Sequence, residues 1–301
     1  MTSQSGRTSI LLALFLAARP KTLIACIVPV CLGGLLSQQI LGEFTWYMFV
    51  FTLLPSLAIQ IATNLFNDAI DYRKGADTSR RIGPERMASS GQVAPESLLI
   101  AGIAFVLIAL TLSLVLVVER GWVIVAIGLP SLIFSYAYTG GPFPLAYRGL
   151  GEVFVILFFG IIAVSGTVFV QSGEWLPESF LLGVQIGLLA SVLIAINNAR
   201  DIEEDKLAGK MTLAVRFGLR FARWEITALS CAPFLAGFLW WVLFDTPKVI
   251  LTTLPGMCLV VILLRHIWRT DPDKSYNRYL GLAIISLLGF ALLFSLGLLM
   301  G

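Results

Sequence analysis

The stretch Asn64-Leu65-Phe66-Asn67-Asp68-Ala69-Ile70-Asp71 closes a run of apolar residues that is long enough to cross a lipid bilayer. Carboxylates at the end of such a run are costly to bury in a membrane and usually mark a functional site. The rest of the chain is equally apolar: of 301 residues, 57% are hydrophobic and only 13% are charged. This composition predicts an integral membrane protein that is all-α, because helices satisfy their own backbone groups in lipid.

Apolar runs of about 20 residues recur along the whole chain and predict about nine transmembrane helices. We place these helices near 22–40, 46–70, 97–118, 121–138, 150–171, 178–198, 226–243, 248–265 and 279–300. The second and sixth runs end in similar Asn–Asp stretches and lie four helices apart. This spacing predicts two four-helix units plus one further helix. No linker divides the chain, so residues 1–301 are expected to form a single transmembrane domain.

The basic residues fall almost entirely in alternate loops, and only Arg120 and Lys248 fall on the opposite side. By the positive-inside rule, this distribution predicts a multi-pass protein of the cytoplasmic membrane with a cytoplasmic N-terminus. Both Asp-rich stretches then face the cytoplasm. The lipid bilayer is the expected surrounding, and no nucleic-acid partner is predicted.

A second acidic stretch, Asn197-Asn198-Ala199-Arg200-Asp201-Ile202-Glu203-Glu204-Asp205-Lys206, closes the sixth run. Residues spaced three or four apart share one face of a helix, as the Asn and Asp residues do in both stretches. Mg²⁺ prefers oxygen ligands and commonly binds one or two carboxylates together with substrate phosphates. Two such faces across a pocket predict two Mg²⁺ ions that bridge a diphosphate, with Asp68, Asp71, Asp201 and Asp205 as ligands.

Two basic, glycine-containing segments follow the acidic stretches, at 72–96 and 206–223. Loops much longer than about 12 residues are usually functional or disordered. We expect these segments to be lids over an anionic ligand. The alternative is that they are ordinary cytoplasmic loops that follow the positive-inside rule.

The motifs Asn67-Asp68-x-x-Asp71 and Asp201-x-x-x-Asp205 resemble those of the UbiA superfamily of intramembrane prenyltransferases, and the resemblance covers essentially the whole chain. It implies that the aspartates bind Mg²⁺ and the diphosphate of a polyprenyl donor. Many members carry a further Asp at the position of Gly75. Here the next acid is Asp77, which becomes an additional candidate metal ligand.

Three further stretches look like those of the 1,4-dihydroxy-2-naphthoate prenyltransferases of menaquinone synthesis. They are Asn67–Pro84 with Arg81-Ile-Gly-Pro84, the segment Tyr138-Thr-Gly-Gly-Pro142 that continues to Glu152, and Asn198–Leu213. The resemblance implies that polyprenyl diphosphate and 1,4-dihydroxy-2-naphthoate are the substrates, and that they are joined with loss of CO₂.

The resemblance and the residue chemistry together assign roles. The catalytic set is Asp68, Asp71, Asp201, Asp205 and Tyr138. Tyr136 and Tyr138 are expected to stabilise an allylic cation through their ring faces. The candidates to bind the phosphates are Lys74, Arg81, Arg200, Lys206 and Lys210. Arg148 or Tyr147 would orient the naphthoate carboxylate, and Asn64, Asn67, Asn197 and Asn198 complete the expected substrate-binding set.

Two alternatives remain open at this point. Related enzymes use other aromatic acceptors, such as 4-hydroxybenzoate or homogentisate, with the same aspartates. A protein of a different class, a cation transporter, could also use buried carboxylates. Transporters usually place such sites near the middle of the membrane, whereas these lie at helix ends beside basic loops.

Overall fold

The computed structural model describes residues 10–77 and 82–300, and over these ranges the chain forms helices and connecting turns without a strand. Nine of these helices are apolar and match the predicted spans, although the fourth is shorter than the others. They are α1 (Pro20–Leu41), α2 (Trp46–Arg73), α3 (Pro95–Arg120), α4 (Trp122–Ala137), α5 (Gly151–Ser172), α6 (Pro177–Arg200), α7 (Leu213–Phe244), α8 (Pro247–Arg269) and α9 (Tyr276–Met300). The predicted all-α membrane fold is confirmed.

The seventh helix begins earlier than the sequence predicted. Residues 213–223 were expected to belong to a loop, but they are helical, because Thr212 caps the helix by accepting a hydrogen bond from the Val215 amide at 3.3 Å. The backbone breaks within this helix at Gly218, whose φ of 82° is readily reached only by glycine. The second predicted lid is therefore limited to the few residues that precede Leu213.

Helix α6 lies at the centre of the bundle. It contacts α5, α7 and α9, and α9 also packs against α1 and α8. In the first half of the chain, α2 contacts α1, α3 and α4. The two halves meet where α5 packs against α1 and α2. Since α2 and α6 carry the two acidic stretches, this arrangement brings their ends to the same side of the bundle.

Helices α5 and α6 approach each other unusually closely. A Cβ atom on Gly160 would lie 2.2 Å from the Gly183 carbonyl oxygen, and a Cβ on Gly187 would lie 2.7 Å from the Ile156 carbonyl oxygen. Gly183 and Gly187 form a GxxxG pair, which allows helix backbones to pack tightly in membranes. The facing part of α5, Ile156–Ile162, is a π-helical turn. This crossing fixes the position of the residues that precede it on α5, including Glu152.

The two basic residues that lie apart from the others cap helix ends on the far side of the bundle. Arg120 donates to the carbonyl oxygens of Val170 at 2.8 Å and Gln171 at 2.7 Å, near the end of α5. Lys248 donates to the Met300 carbonyl oxygen at the end of α9. A cation at a helix C-terminus is favourable because the helix dipole places partial negative charge there.

Candidate active site

The first acidic stretch presents a buried polar face. Asn64, Asp68 and Asp71 are 3%, 1% and 7% exposed, which agrees with their predicted common face on α2. The Asp68 carboxylate accepts hydrogen bonds from the backbone amides of Met87 at 3.1 Å and Ala88 at 3.0 Å. Asp68 therefore holds the loop that follows α2, in addition to any role as a metal ligand.

The second stretch is not one continuous helix. Helix α6 ends at Arg200, and a short helix, Ile202–Leu207, starts after Asp201. The Asp205 amide still donates to the Asp201 carbonyl at 2.8 Å, so the two aspartates remain one turn apart. The Arg200 guanidinium binds both Asp201 carboxylate oxygens at 2.6 Å and also donates to Asn277 of α9 at 2.7 Å. Such bidentate pairs are strong and directional.

Tyr147, in the turn between α4 and α5, joins the two stretches. Its hydroxyl donates to Asp71 at 2.8 Å, and the Lys74 ammonium lies 4.2 Å from the centre of its ring. The Lys210 ammonium lies 5.9 Å from the same ring and 3.4 Å from the Asp205 carboxylate. The structure thus gathers two carboxylates and two ammonium groups around one tyrosine.

Burial shifts the pKa values of several ionisable groups in this site. The pKa of Asp205 is raised to about 6, chiefly by burial and further by the nearby charges of Asp201 and Asp71, although Lys210 opposes the shift. Burial and the Asp71 charge also raise the pKa of the Tyr147 hydroxyl. Burial lowers the pKa of Lys74. A site in which a buried carboxylate is held near other carboxylates is stabilised by an added cation.

The loop after α2 covers both acidic stretches. Its Met87 and Ala88 amides bind Asp68 as described, and its Ile82 amide donates to Glu204 at 3.1 Å. Asn277 donates to the Ile82 carbonyl oxygen at 3.2 Å. Buried hydrophobic side chains anchor the same loop, since Met87, Ala88 and Val93 pack with residues of α2, α3 and the N-terminal helix Ile10–Ala17. The described part of this loop therefore contacts both acidic stretches, and its role as a lid over an anionic ligand stays a prediction.

The acidic residues suit Mg²⁺ held jointly with a phosphate ligand. Within the described ranges, no three His, Cys, Asp or Glu side chains form a ready-made chelating group. The Asp205 Oδ2 atom is buried and has no hydrogen-bond partner in the same ranges. Mg²⁺ usually takes one or two carboxylates and completes its octahedron with water and substrate phosphate oxygens. Asp71 and Asp205 are therefore the candidates to hold the ion, because their contacts with Tyr147 and Lys210 use one carboxylate oxygen each, whereas Arg200 binds both oxygens of Asp201.

Several predicted site residues lie elsewhere. The exposed Tyr136 packs edge-on against Phe66, on the face of α2 turned away from the aspartates. Arg148 is exposed and lies 3.8 Å above the Phe143 ring. Lys206 is exposed, and Asn197 donates to the Leu193 carbonyl of its own helix. Arg81 lies outside the described residues.

The remaining predicted residues have partners around the site. Asn67 accepts a hydrogen bond from the Thr139 hydroxyl, and Lys74 donates to the Thr139 carbonyl at 2.7 Å. Asp77 is buried and lies 3.5 Å from Arg86, so it is paired with a cation within its own loop. Asn198 donates to Glu152 at 2.6 Å. Tyr138 packs against Phe154 of α5, with ring centroids 5.4 Å apart.

Sequence reasoning missed three polar residues that lie around the site. It left Glu152 out of the site, and it did not anticipate that Arg86 faces Asp77 or that Asn277 supports Arg200. Arg86 and Asn277 carry no local signal, because their role depends on which loop and helix the fold brings together. Glu152 did carry one, since an ionisable residue at the start of a membrane helix is a functional candidate by default.

A groove lies in the membrane part of the bundle, between α2, α4 and α5, and its lining extends to Thr63 and Phe154, toward the end that carries the acidic residues. Its lining includes Pro55, Ile59, Ile124, Phe158 and Ile162. Hydroxyl groups along it donate to carbonyl oxygens of their own helices: Thr52 donates to Met48, and Ser131 to Ile127, each at 2.8 Å. The groove is therefore suited to an apolar chain.

The nine-helix bundle with paired acidic motifs at one end defines a class of intramembrane proteins, and the family model described as "UbiA prenyltransferase family" matches residues 26–299. The chain belongs to this family. It is a multi-pass membrane protein and a prenyltransferase.

Two curated proteins of the same name are similar in sequence to this chain. A 1,4-dihydroxy-2-naphthoate octaprenyltransferase from Bacillus subtilis is 35% identical over 222 residues, which covers 74% of this chain and 70% of the relative. A protein of the same name from Haemophilus influenzae is 34% identical over 213 residues, covering 67% of this chain and 68% of the relative. The chain is thus similar to several proteins that share one named activity.

The fold also matches solved structures. A UbiA homologue from Archaeoglobus fulgidus, solved bound to GPP and Mg²⁺, superposes with a TM-score of 0.66 at 15% identity, covering 94% of this chain and 99% of the homologue. At this identity the match establishes the common fold. It agrees with the helix order described above.

Proposed function

We propose that this protein transfers a polyprenyl group from polyprenyl diphosphate to 1,4-dihydroxy-2-naphthoate, with loss of CO₂, in menaquinone biosynthesis. The observation that carries the proposal is the meeting of the two acidic stretches around Tyr147, with Lys74 and Lys210 beside them. Carboxylates for Mg²⁺ and ammonium groups for phosphate are the recurring components of diphosphate sites. The names of the relatives support the choice of substrates.

The diphosphate is proposed to lie between Asp71 and Asp205, with the charged ends of Lys74 and Lys210 against its oxygens. The two aspartates would hold Mg²⁺, and the bound ion would neutralise negative charge on the diphosphate as it leaves. The protein supplies fixed positive groups at the same place, and fixed charges in a water-poor site stabilise a leaving anion efficiently. Two ions are expected from the two acidic stretches. Asp68, Asp77 and Asp201 remain candidate ligands, and both carboxylate oxygens of Asp68 and of Asp201 already accept hydrogen bonds within the protein.

The prenyl chain is proposed to occupy the apolar groove between α2, α4 and α5. Its reacting end would then lie beside an aromatic group in which Tyr138 and Phe158 both pack against Phe154. Aromatic faces stabilise a nearby cation. This group replaces the predicted pair of Tyr136 and Tyr138, since Tyr136 faces away.

The orientation with both acidic stretches toward the cytoplasm is part of the proposal. It is supported by the position of the basic residues: Arg73, Arg86, Arg148, Arg216, Arg223 and Lys206 lie at the end of the bundle that carries the aspartates. The localisation proposed is the cytoplasmic membrane.

The competing acceptors have a single benzene ring, whereas dihydroxynaphthoate has two fused rings, and all of them would take the prenyl group from a prenyl diphosphate. We propose to assay the purified protein with Mg²⁺, octaprenyl diphosphate and, separately, 1,4-dihydroxy-2-naphthoate, 4-hydroxybenzoate and homogentisate, with EDTA as the metal-free control. Mg²⁺-dependent prenylation of the naphthoate with release of CO₂ is the expected result. Prenylation of only another acceptor would reject the naphthoate, and no transfer to any acceptor would reject the proposal.

A further inference from the structure

Glu152, near the start of α5, is a buried carboxylate that the diphosphate site does not use. Its side chain is 4% exposed, and its Oε1 atom accepts a hydrogen bond from Asn198 at 2.6 Å. Its Oε2 atom is buried and has no hydrogen-bond partner within residues 10–77 and 82–300. Buried carboxylate oxygens almost always have a donor, so an atom without one needs an explanation.

Neighbouring charges do not supply that explanation. No ion pair to Glu152 is present within the described part of the chain, and Glu225 of α7, an acidic residue within electrostatic reach, brings no basic group to it. An ionised carboxylate in a membrane helix is expensive unless it is paired or hydrogen-bonded. A group that approaches Oε2 with an O–H or N–H donor would relieve this cost.

Glu152 lies near the place proposed for the reacting end of the donor, since Phe154, two residues further along α5, lines the apolar groove. Asn198, its partner, precedes Asp201 by three residues on α6, which corresponds to about 4.5 Å along the helix. Glu152 is therefore about one turn deeper in the membrane than the second acidic stretch. The Tyr138 hydroxyl lies close to the start of the same helix, 3.0 Å from where a Cβ on Gly151 would be.

We propose that the free oxygen of Glu152 accepts a hydrogen bond from a ring hydroxyl of the aromatic acceptor. This inference rests on the proposed function and adds to it the residue that orients the acceptor. A ring that attacks the carbon next to the diphosphate must lie just deeper than the diphosphate, where Glu152 is. The acceptor's own carboxylate is repelled by Glu152, so the hydroxyl side of the ring turns toward it.

The hydrogen bond also favours the reaction. A hydroxyl that donates to an anion releases more electron density into its ring, and the proton stays on the hydroxyl oxygen throughout. The negative charge of Glu152 is thus required, and a neutral side chain of the same shape is not sufficient. Glu152→Gln separates the two, because its amide oxygen can still accept from Asn198.

The test compares the acceptor with its two mono-O-methyl ethers in the wild-type protein, Glu152→Gln and the control Glu178→Gln. Glu178 has a buried oxygen without a partner in the described ranges, but it lies in the first turn of α6 at the opposite end of that helix. We expect Glu152→Gln to lower kcat/KM for the acceptor about ten- to a hundredfold, as for the loss of a charge-assisted hydrogen bond. The KM for octaprenyl diphosphate should stay unchanged, and Glu178→Gln should behave as wild type.

Methylation identifies the contact itself. One of the two ethers should lower the wild-type kcat/KM to the level of the variant, with no further loss in Glu152→Gln. Wild-type kinetics in Glu152→Gln, or equal sensitivity of both proteins to methylation, would overturn the inference. If Glu152→Gln does not fold, Glu152→Asp is used instead, because it keeps the negative charge but is one methylene shorter and no longer reaches the acceptor. If methylation of the acceptor lowers kcat/KM in Glu152→Asp as much as in the wild-type protein, the inference is overturned. Failure of the proposed function would instead appear as an inactive wild-type protein.

Discussion

Replacing Asp205 with Asn should make the protein more stable and abolish its activity at the same time. In the folded protein, burial and the charges of Asp201 and Asp71 raise the pKa of Asp205 from 3.8 to about 6. At 1.36 kcal/mol per pH unit, this rise corresponds to at most about 3 kcal/mol by which the ionised side chain destabilises the fold at neutral pH. Asn has nearly the same shape and carries no charge, so it removes this cost.

The sign of the pH dependence follows from the same shift. A carboxyl whose folded pKa is raised stabilises the fold while it is protonated, and this contribution is lost as the pH rises from about 4 through about 6. Wild-type protein without metal should therefore lose stability over that interval relative to Asp205→Asn. Activity should follow the opposite course and fall below about pH 6, because protonation removes a ligand for Mg²⁺.

The assay is thermal unfolding in detergent with EDTA at pH 7.5 and again at pH 4.5, for both proteins. The variant should melt at a higher temperature at pH 7.5, and the difference should shrink at pH 4.5. Adding Mg²⁺ with geranyl diphosphate should raise the melting temperature of the wild-type protein and leave that of the variant nearly unchanged. A variant that is less stable than wild type at pH 7.5 in EDTA would refute the reasoning. It would show that contacts within the protein already offset the cost of burying the ionised Asp205 carboxylate.

Three further substitutions test other parts of the structure. Tyr147→Phe removes the hydrogen bond to Asp71 and should lower kcat/KM for the prenyl diphosphate by about tenfold or more, since hydrogen bonds to charged groups are worth about 1.5–3 kcal/mol; kinetics equal to wild type would remove Tyr147 from the site. Arg200→Gln breaks a buried ion pair whose side chains are 1% and 9% exposed and should destabilise the protein by about 3–5 kcal/mol in denaturation experiments, whereas exchanging the exposed Lys206 for Gln should have little effect. Gly187→Leu places a side chain where a Cβ would already lie 2.7 Å from the Ile156 carbonyl oxygen and should yield little folded protein; normal yield and melting behaviour would show that α5 and α6 can separate.

The sequence predicted the fold well because its signals are strong and local. Apolar runs and the distribution of basic residues depend only on the bilayer, and they located all nine helices, with the ends of every helix except α7 within a few residues. The start of α7 was placed incorrectly, since its first turns are polar and continue across Gly218. A hydropathy pattern records contact with lipid, so it does not detect a helix that extends beyond the membrane.

The acidic residues of the site were predicted from spacing, but their separate tasks were not. Asp68, Asp71 and Asp201 look alike in the sequence, yet one binds backbone amides, one binds Tyr147 and one binds Arg200. Tyr136 was placed in the site because it lies near Tyr138. Two residues that are two positions apart on a helix point in different directions, and only Tyr138 faces α5.

The attachment of the cytoplasmic loop to Asp68 has a consequence for how this protein can diverge. The loop binds through the amide groups of Met87 and Ala88, and every amino acid except proline supplies such a group. Burial limits the size of these two side chains, but the bonding itself does not depend on their identity. Homologous proteins could therefore differ at both positions and still close the loop in the same way, so the evolutionary trace of this contact should be an absence of proline.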